Sequence, residues 1–407
     1  MGNASSLPGR VALKISPNIL DDYQKQLKNY EARFNSIITG TNGKTTTTGI
    51  LRSIYKEYLK SEIISNEFGA NLYYGICSEL IRSSNIVGQL KFLNYALEVD
   101  EATLPNICKT LKANSMIVTN VFRDQLDRFG ELNTTLNFIA EGIEKSLDSN
   151  PHPGLRLVLN YDDPRVRELN KFDNQTEIYW FSVRRNGKPI EISDFDSSES
   201  EARNFKPRNL IQADIIEEKE SSTRFAVNFG RVQEIFDIKL PGVYNVYNAV
   251  AAIANAYALD VQISVIERGL QNYQTNFGRA ENKLVNEHEL KIFLIKNPTG
   301  CSEVLKHLSN NPGASYLVII NDNYADGRDV SWLWDAEFEH IDNAASIVCA
   351  GNRAYDIALR FKYAGVPEEK ISIMPSISEA ISLTTKSPGT TYVLPTYTAL
   401  LELEKIT

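Results

Sequence analysis

At 407 residues the chain is long enough for two or three domains and a sizeable core. Its 43% hydrophobic and 23% charged residues are those of an ordinary globular chain, and its formal net charge of -8 excludes a bulk nucleic-acid binder, whose footprint is basic. The cysteines Cys77, Cys108, Cys301 and Cys349 form no CxxC pair, so they read as thiols in a reducing cytosol and give neither a zinc ribbon nor a disulfide framework. No signal peptide is evident, and no apolar run approaches the ~18 residues of a transmembrane segment. A cytoplasmic location is therefore expected.

Met1 to Glu31 is polar and mixed. Ser5-Ser6-Leu7-Pro8-Gly9 reads as a turn and Leu20 to Tyr30 as a helix. An extension over 1–32 is too short for a separate Rossmann-sized domain.

Next comes the stretch on which the functional reading turns, RFNSIITGTNGKTTTTG from Arg33 to Gly49. An apolar run (Phe34, Ile37, Ile38) ends in a glycine loop, and a helical pattern follows. Strand, loop and helix N-terminus together make an anion cradle, in which backbone N–H groups and the helix dipole favour phosphate. Thr41, Asn42, Gly43, Lys44, Thr45 and Thr46 form the expected nucleotide-binding set. Lys44 would reach the β- and γ-phosphates, and the Thr45 hydroxyl would ligate Mg²⁺. The strict GxxxxGK[ST] pattern requires glycine where Ile38 stands, so the loop is the shorter TGTNGKT variant.

From 33 to about 160, apolar runs at 33–39, 61–65, 92–99, 115–121 and 155–160 alternate with helical patterns at 47–60, 71–83, 102–112 and 132–147. This alternation predicts a doubly wound, mostly parallel α/β sheet with ligands at the carboxyl ends of its strands. Two such ends are rich in polar groups. Glu98-Val99-Asp100-Glu101 offers three carboxylates for Mg²⁺, with a solvated acidic turn as the alternative. Thr119-Asn120-Val121-Phe122-Arg123-Asp124-Gln125-Leu126-Asp127-Arg128 is densely charged directly after a buried strand. Between 172 and 240 a β-rich insertion or extension is expected, with short antiparallel strands at Glu177–Val183, Thr223–Phe229 and Arg231–Ile238 around an acidic, serine-rich loop at Asp194–Glu201. Gly242 to Leu259 reads as an Ala-rich amphipathic helix.

A second α/β unit is expected over 286–407, with apolar runs at 291–295, 316–320, 345–349, 371–374 and 391–394 and helices at 301–309, 333–340, 352–364 and 376–385. Asn276-Phe277-Gly278-Arg279 is the expected hinge, closing a central unit that spans 33–281. Asn321 to Asp335 leaves a strand with several Asp and then Trp332 and Trp334, which favours a site or partner surface over a plain turn. Cys301 lacks a sequence-evident base and reads as a buried thiol.

Several motifs in order resemble the Mur ligase family and, within it, the MurT type. They are Ser5 to Lys14, the phosphate loop 39–46, Glu67-Phe68-Gly69-Ala70-Asn71, Leu97 to Ala102, Arg123 to Arg128, Tyr244 to Ala249, Phe277 to Glu281, Ile295 to Pro298, Asn321 to Asp335 and Tyr392 to Thr398. The resemblance implies a central P-loop ligase domain followed by a Rossmann-like C-terminal domain, using ATP and Mg²⁺. It implies ATP-dependent amidation of the α-carboxylate of D-isoglutamate in the lipid II stem peptide, at the inner face of the membrane. Ammonia would come from glutamine through a partner, a GatD-type class I glutamine amidotransferase. By the same resemblance Glu98 is a magnesium ligand, Asn248 contacts adenine and Arg279 the phosphates. An Asp of this chain, Asp329 ahead of Asp326, completes the partner's triad. Three departures stand out. There is no cysteine in 170–240, where relatives carry a zinc ribbon, so no zinc is expected. Phe138-Ile139-Ala140-Glu141 lacks the family's carbamoylated lysine, and Gln125 replaces a histidine. The alternatives are a stand-alone Mur-type amino-acid ligase, of the folylpolyglutamate or cyanophycin kind, and a non-catalytic ATP-binding regulatory protein.

Overall fold

The structure is a computed structural model that describes residues 6–28, 33–66, 70–122, 132–149, 154–190, 205–219, 221–274 and 279–407. These residues fall into two compact units, one ending at Gln274 and one comprising the residues from Arg279 onward.

In the first unit β1 (Asn35–Thr39), β2 (Ile64–Ser65), β3 (Tyr95–Glu98), β4 (Ser115–Val118), β5 (Arg156–Asn160), β6 (Glu177–Arg185), β7 (Lys188–Pro189), β8 (Asn209–Glu218), β9 (Thr223–Phe229) and β10 (Val232–Ile238) share one sheet. The order is β10-β9-β8-β6-β5-β4-β1-β3-β2, with β7 paired to β6. Around it lie α1 (Leu7–Ile15), α2 (Ile19–Lys28), α3 (Lys44–Leu59), α4 (Tyr73–Arg82), α5 (Leu104–Thr110), α6 (Leu132–Ser149), α7 (Val243–Ala258) and α8 (Ile263–Asn272). Every residue of β1 is buried, as a central parallel strand covered on both faces requires. The two-residue period of the strand sorts its side chains. Ile38 joins Ile50, Ile54, Val250, Ile253 and Ile266 from α3, α7 and α8. Ile37 joins Leu20, Ile76, Leu104 and Ile139 from α2, α4, α5 and α6. Helices thus cover both faces, and the phosphate loop leaves the middle of the sheet.

Three expectations change here. The Ser5–Gly9 turn is replaced, over its described part, by the start of α1. Pro8 is tolerated there because a helix's first turn has no N–H partner to lose, and Gly9 N–H is taken by Ser78 Oγ at 2.8 Å. β6 runs parallel to β5 and β8, not antiparallel, so the 172–240 region continues the sheet; among the described residues its antiparallel pairs are the short β7 with β6, β8 with β9, and β9 with β10. β8, ten residues long, is an additional strand between β6 and β9. α7 is buried nearly all round, from Asn245 to Ala256, because its alanines allow close approach on every side; it is not amphipathic. The acidic loop 194–201, residues 123–128, Glu67-Phe68-Gly69 and Asn276-Phe277-Gly278 lie outside the described residues. Where described, the β region is closed by aromatic packing. Trp180 and Phe205 are 5.1 Å apart, Tyr161 stacks edge-on against both, and the Tyr161 hydroxyl donates to Phe205 O at 2.6 Å.

In the second unit β11 (Arg279–Val285), β12 (His288–Phe293), β13 (Ser315–Ile319), β14 (Ser346–Ala350), β15 (Ile371–Ile373) and β16 (Gly389–Pro395) form a sheet in the order β11-β12-β16-β13-β14-β15. All pairs are parallel except β11 with β12. Its helices are α9 (Pro298–Leu308), α10 (Trp332–Asp335), α11 (Ala354–Tyr363), α12 (Ile377–Thr384) and α13 (Tyr397–Ile406). α9 starts three residues earlier than expected, at Pro298, because the Asn297 side chain caps it by accepting Gly300 N–H at 2.9 Å. The helix expected at 333–340 is a single turn, α10, followed by a 3₁₀ turn at Phe338–Ile341. Arg279, expected in a hinge, opens strand β11. All four cysteines are buried free thiols, and burial pushes those of Cys77, Cys108 and Cys349 up to about 11, 12 and 12 and that of Cys301 higher still.

Candidate active site

The carboxyl end of β1 turns sharply. Gly40 has φ 115° and Gly43 φ 87°, a left-handed region that side chains with a Cβ avoid. α3 begins at Lys44, and its first intrahelical bond runs from Thr47 N–H to Gly43 O at 2.9 Å. No side chain caps this end, so the N-terminal amides are those an anion would take. The buried Thr46 Oγ1, in the first turn, has no hydrogen-bond partner among the described residues. An orphaned hydroxyl at that place fits a ligand rich in acceptors.

The loop's shape is imposed by the end of β4, its neighbour in the sheet. Thr41 N–H bonds to Asn120 O at 2.9 Å, and Asn42 N–H to Asn120 Oδ1 at 2.8 Å. Asn120 Nδ2 returns a bond to Asn42 O at 3.1 Å, and Thr119 Oγ1 donates to the same carbonyl at 2.7 Å. Thr41 Oγ1 accepts Phe122 N–H at 3.0 Å. Thr119 and Asn120 are thus the loop's mould. The charges that follow them dominate the local sequence pattern; the signal for Thr119 and Asn120 is their place at a strand end beside the loop.

The opposite wall is the end of β3. Thr45 Oγ1 donates to Glu98 Oε2 at 2.7 Å, while Asn71 Nδ2 donates to Glu98 Oε1 at 2.8 Å. Asn66 fixes the Glu98 backbone on both sides, N–H to Oδ1 at 2.8 Å and Nδ2 to O at 2.7 Å. Glu101 turns elsewhere, to Lys44 Nζ at 2.8 Å and Gly40 N–H at 3.0 Å. The expectation of three convergent carboxylates is corrected: among the described residues no three acidic, His or Cys side chains gather as a metal cluster. What remains at the loop is a hydroxyl and one buried carboxylate, both hard oxygen donors. That set fits Mg²⁺, which keeps several waters and takes its other ligands from substrate phosphate. Burial opposes the Lys44 charge, but Glu101, Glu98 and Asp100 outweigh it and raise the pKa of the ammonium.

Asn248, on α7, closes the loop from above. Its Oδ1 accepts from Thr47 Oγ1 at 3.5 Å, and its Nδ2 lies 3.5 Å from Asn245 Oδ1. The side chain of Arg279 lies outside the described positions.

In the second unit the loop after β13 separates the two candidate aspartates. Asp326 is buried; its Oδ1 accepts Thr398 N–H at 2.7 Å, and its Oδ2 accepts the Thr398 hydroxyl and Asn323 N–H. Burial pushes its carboxyl up despite those donors. Asp329 is half-buried; its Oδ1 accepts Ser331 N–H at 2.8 Å, and bonds from Ser331 hold its carboxyl below the ordinary range. Asp326 is committed to bracing the loop on α13, and Asp329 is presented on the loop. Arg353, just before α11, and Arg360 within it hold this loop at both ends. Arg353 binds Asp322 at 2.8 Å, and Arg360 donates to Leu333 O and Ala336 O at 3.0 and 2.7 Å. Trp332 is buried, as its expected packing role requires, but Trp334 is 51% exposed and Tyr324 93%.

A phosphate loop of the short TGTNGKT form on a doubly wound sheet, followed by a second α/β unit, defines the class. Residues 38–256 match the Mur ligase middle domain family, and residues 294–400 match the MurT ligase C-terminal family. The chain belongs to the Mur ligase family of ATP-dependent ligases, in its MurT branch. It is 32% identical to the Streptococcus pneumoniae lipid II isoglutaminyl synthase (glutamine-hydrolyzing) subunit MurT, over 100% of this chain and 93% of that protein. The Staphylococcus aureus subunit of the same name is also 32% identical, over 97% of this chain and 91% of that protein. Among solved structures it is similar to MurF from Acinetobacter baumannii, with a TM-score of 0.70 at 17% identity over 95% of this chain and 78% of that one. That likeness is one of fold.

Proposed function

We propose that this protein amidates the α-carboxylate of D-isoglutamate in the lipid II stem peptide, using ATP and glutamine-derived ammonia. The single observation that carries the reading is the 32% identity to the MurT subunit over the whole of this chain, joined to a phosphate loop in which Thr45 bonds to Glu98 and Lys44 to Glu101. The γ-phosphoryl group of ATP passes to a carboxylate oxygen, giving an acyl phosphate and ADP. Ammonia then attacks the carbonyl carbon, and phosphate leaves with that oxygen.

The loop amides 43–46 and Lys44 hold the phosphates, offsetting charge on the transferring group. Thr45 and Glu98 hold Mg²⁺, which when bound neutralises phosphate charge. Asn248 is assigned to adenine and Arg279 to the phosphates, following the family. The name "subunit" given to the relatives supports a glutamine-hydrolysing partner. We assign Asp329 to orienting that partner's histidine, because Asp326 has both oxygens engaged within its own unit. Lipid II is membrane-bound, so the work is done at the inner membrane face; among the described residues no helix is long and apolar enough to cross a bilayer.

The test is to combine the purified chain with a class I glutamine amidotransferase, glutamine, MgATP and lipid II. Amidated lipid II with stoichiometric ADP is expected. Incorporation of a whole amino acid, or nucleotide binding without any ligation, would instead favour the two alternative readings.

A further inference from the structure

Lys44 is held more tightly than a lysine that only reaches outward for phosphate. Its side chain is buried, and Nζ lies 2.6 Å from Gly40 O, 3.3 Å from Thr41 O and 2.8 Å from Glu101 Oε1. An ammonium has three hydrogens, and these three acceptors take them all. Glu101, itself buried, uses the same Oε1 to accept Gly40 N–H at 3.0 Å. One carboxylate oxygen therefore fixes both the first glycine of the loop and the lysine four residues on. We propose that Glu101 is a positioning residue of the nucleotide site: it balances the Lys44 charge, competes with the terminal phosphates for it, and keeps hold of Gly40 N–H when Lys44 moves over to them.

The physical case is the cost of buried charge. Neither partner of a buried ion pair tolerates loss of the other, because a lone charge in that surrounding is strongly unfavourable. A lysine buried in the loop therefore needs an anion whether or not a nucleotide is bound, and Glu101 is the anion placed to serve. A phosphate oxygen arriving at the α3 N-terminus satisfies the same need, so the two exchange without leaving Lys44 unpaired. Glu98, directed to Thr45 and Asn71, does not take this part.

The proposal rests on the nucleotide reading of the loop, and the experiment keeps the two apart. If the wild-type full chain fails to bind MgADP, that reading falls. If it binds, Glu101→Gln decides the proposal. The amide oxygen still accepts Gly40 N–H, but the competing charge is gone. Without nucleotide the variant is expected to melt at lower temperature than wild type. The MgADP-induced rise should exceed that of wild type, with Kd for MgADP tightened by roughly threefold to tenfold and no effect on adenosine. Glu101→Asp keeps the charge on a shorter arm and serves if the Gln variant does not fold; its tightening is expected to be smaller but in the same direction. A melting loss equal with and without MgADP, or a Kd unchanged or weakened in the variant that folds, overturns the proposal and leaves the pair a purely structural one.

Discussion

Asn248 Oδ1 lies 2.0 Å from the point that a Cβ on residue 43 would occupy, so α7 can sit against the phosphate loop only because residue 43 is glycine. The same residue has φ 87°, where an L side chain is strained even with room to spare. Gly43→Ala therefore pushes Asn248 away and distorts the turn together. Strain of about 1–3 kcal/mol is expected to weaken MgADP binding by on the order of tenfold or more, read by calorimetric titration. Affinity within twofold of wild type would mean that the loop tolerates a different approach of α7.

Thr45 and Glu98 share one hydrogen bond of 2.7 Å at the mouth of the loop. Thr45→Val removes the hydroxyl and Glu98→Gln the charge. Each is expected to lower Mg²⁺-dependent nucleotide affinity by about tenfold to a hundredfold and to leave magnesium-independent binding less affected. Titrating ADP with and without Mg²⁺ measures this; a uniform loss under both conditions would place the residues outside metal binding.

The two aspartates of the 321–335 loop separate by what their carboxylates already do. Asp326→Asn disturbs the buried bonds to Thr398 and Asn323 and is expected to cost about 1–3 kcal/mol of stability. Asp329→Asn, at a half-buried position, should change stability by no more than about 0.5 kcal/mol. It should abolish amidation with glutamine while sparing amidation with free ammonium. Equal loss with both nitrogen sources would move Asp329 out of the glutaminase role.

Asp163 supplies a pH signature. Its carboxylate accepts N–H groups from Val121, Arg165 and Val166, yet burial raises its pKa from 3.8 to about 6. Between those values the folded protein keeps a proton that the unfolded chain has released. The contribution to stability is thus full below pH of about 4 and is lost as pH rises through about 6. The difference in unfolding free energy between wild type and Asp163→Asn should fall, on the order of a few kcal/mol, from pH 4.5 to 7. Urea titrations at intervals across that range read it, and a difference independent of pH would contradict the raised pKa.

Much of this was legible in the chain. β1 and α3 follow from an apolar run, two glycines and a helical period, and most parallel strands lie within a few residues of their apolar runs. What escaped was set by tertiary contact. β8 is buried on alternate residues only once β6 and β9 flank it, and β11 owes its register to β12. At the site, Lys44, Thr45 and Glu98 could be named from local pattern, whereas the Glu101 ion pair and the Thr119–Asn120 mould arise because β3 and β4 flank β1. The tryptophans marked the 321–335 loop as notable, but only the bonds to Thr398 and Ser331 tell Asp326 from Asp329.

The most direct measurement follows the oxygen atoms. Lipid II carrying ¹⁸O in its D-isoglutamate α-carboxylate is incubated with the protein, a class I glutamine amidotransferase, glutamine and MgATP, and the released inorganic phosphate is analysed by mass spectrometry. Transfer through an acyl phosphate predicts one ¹⁸O in each phosphate for every amide formed. Phosphate free of ¹⁸O, with amide appearing or ATP consumed, would contradict the account.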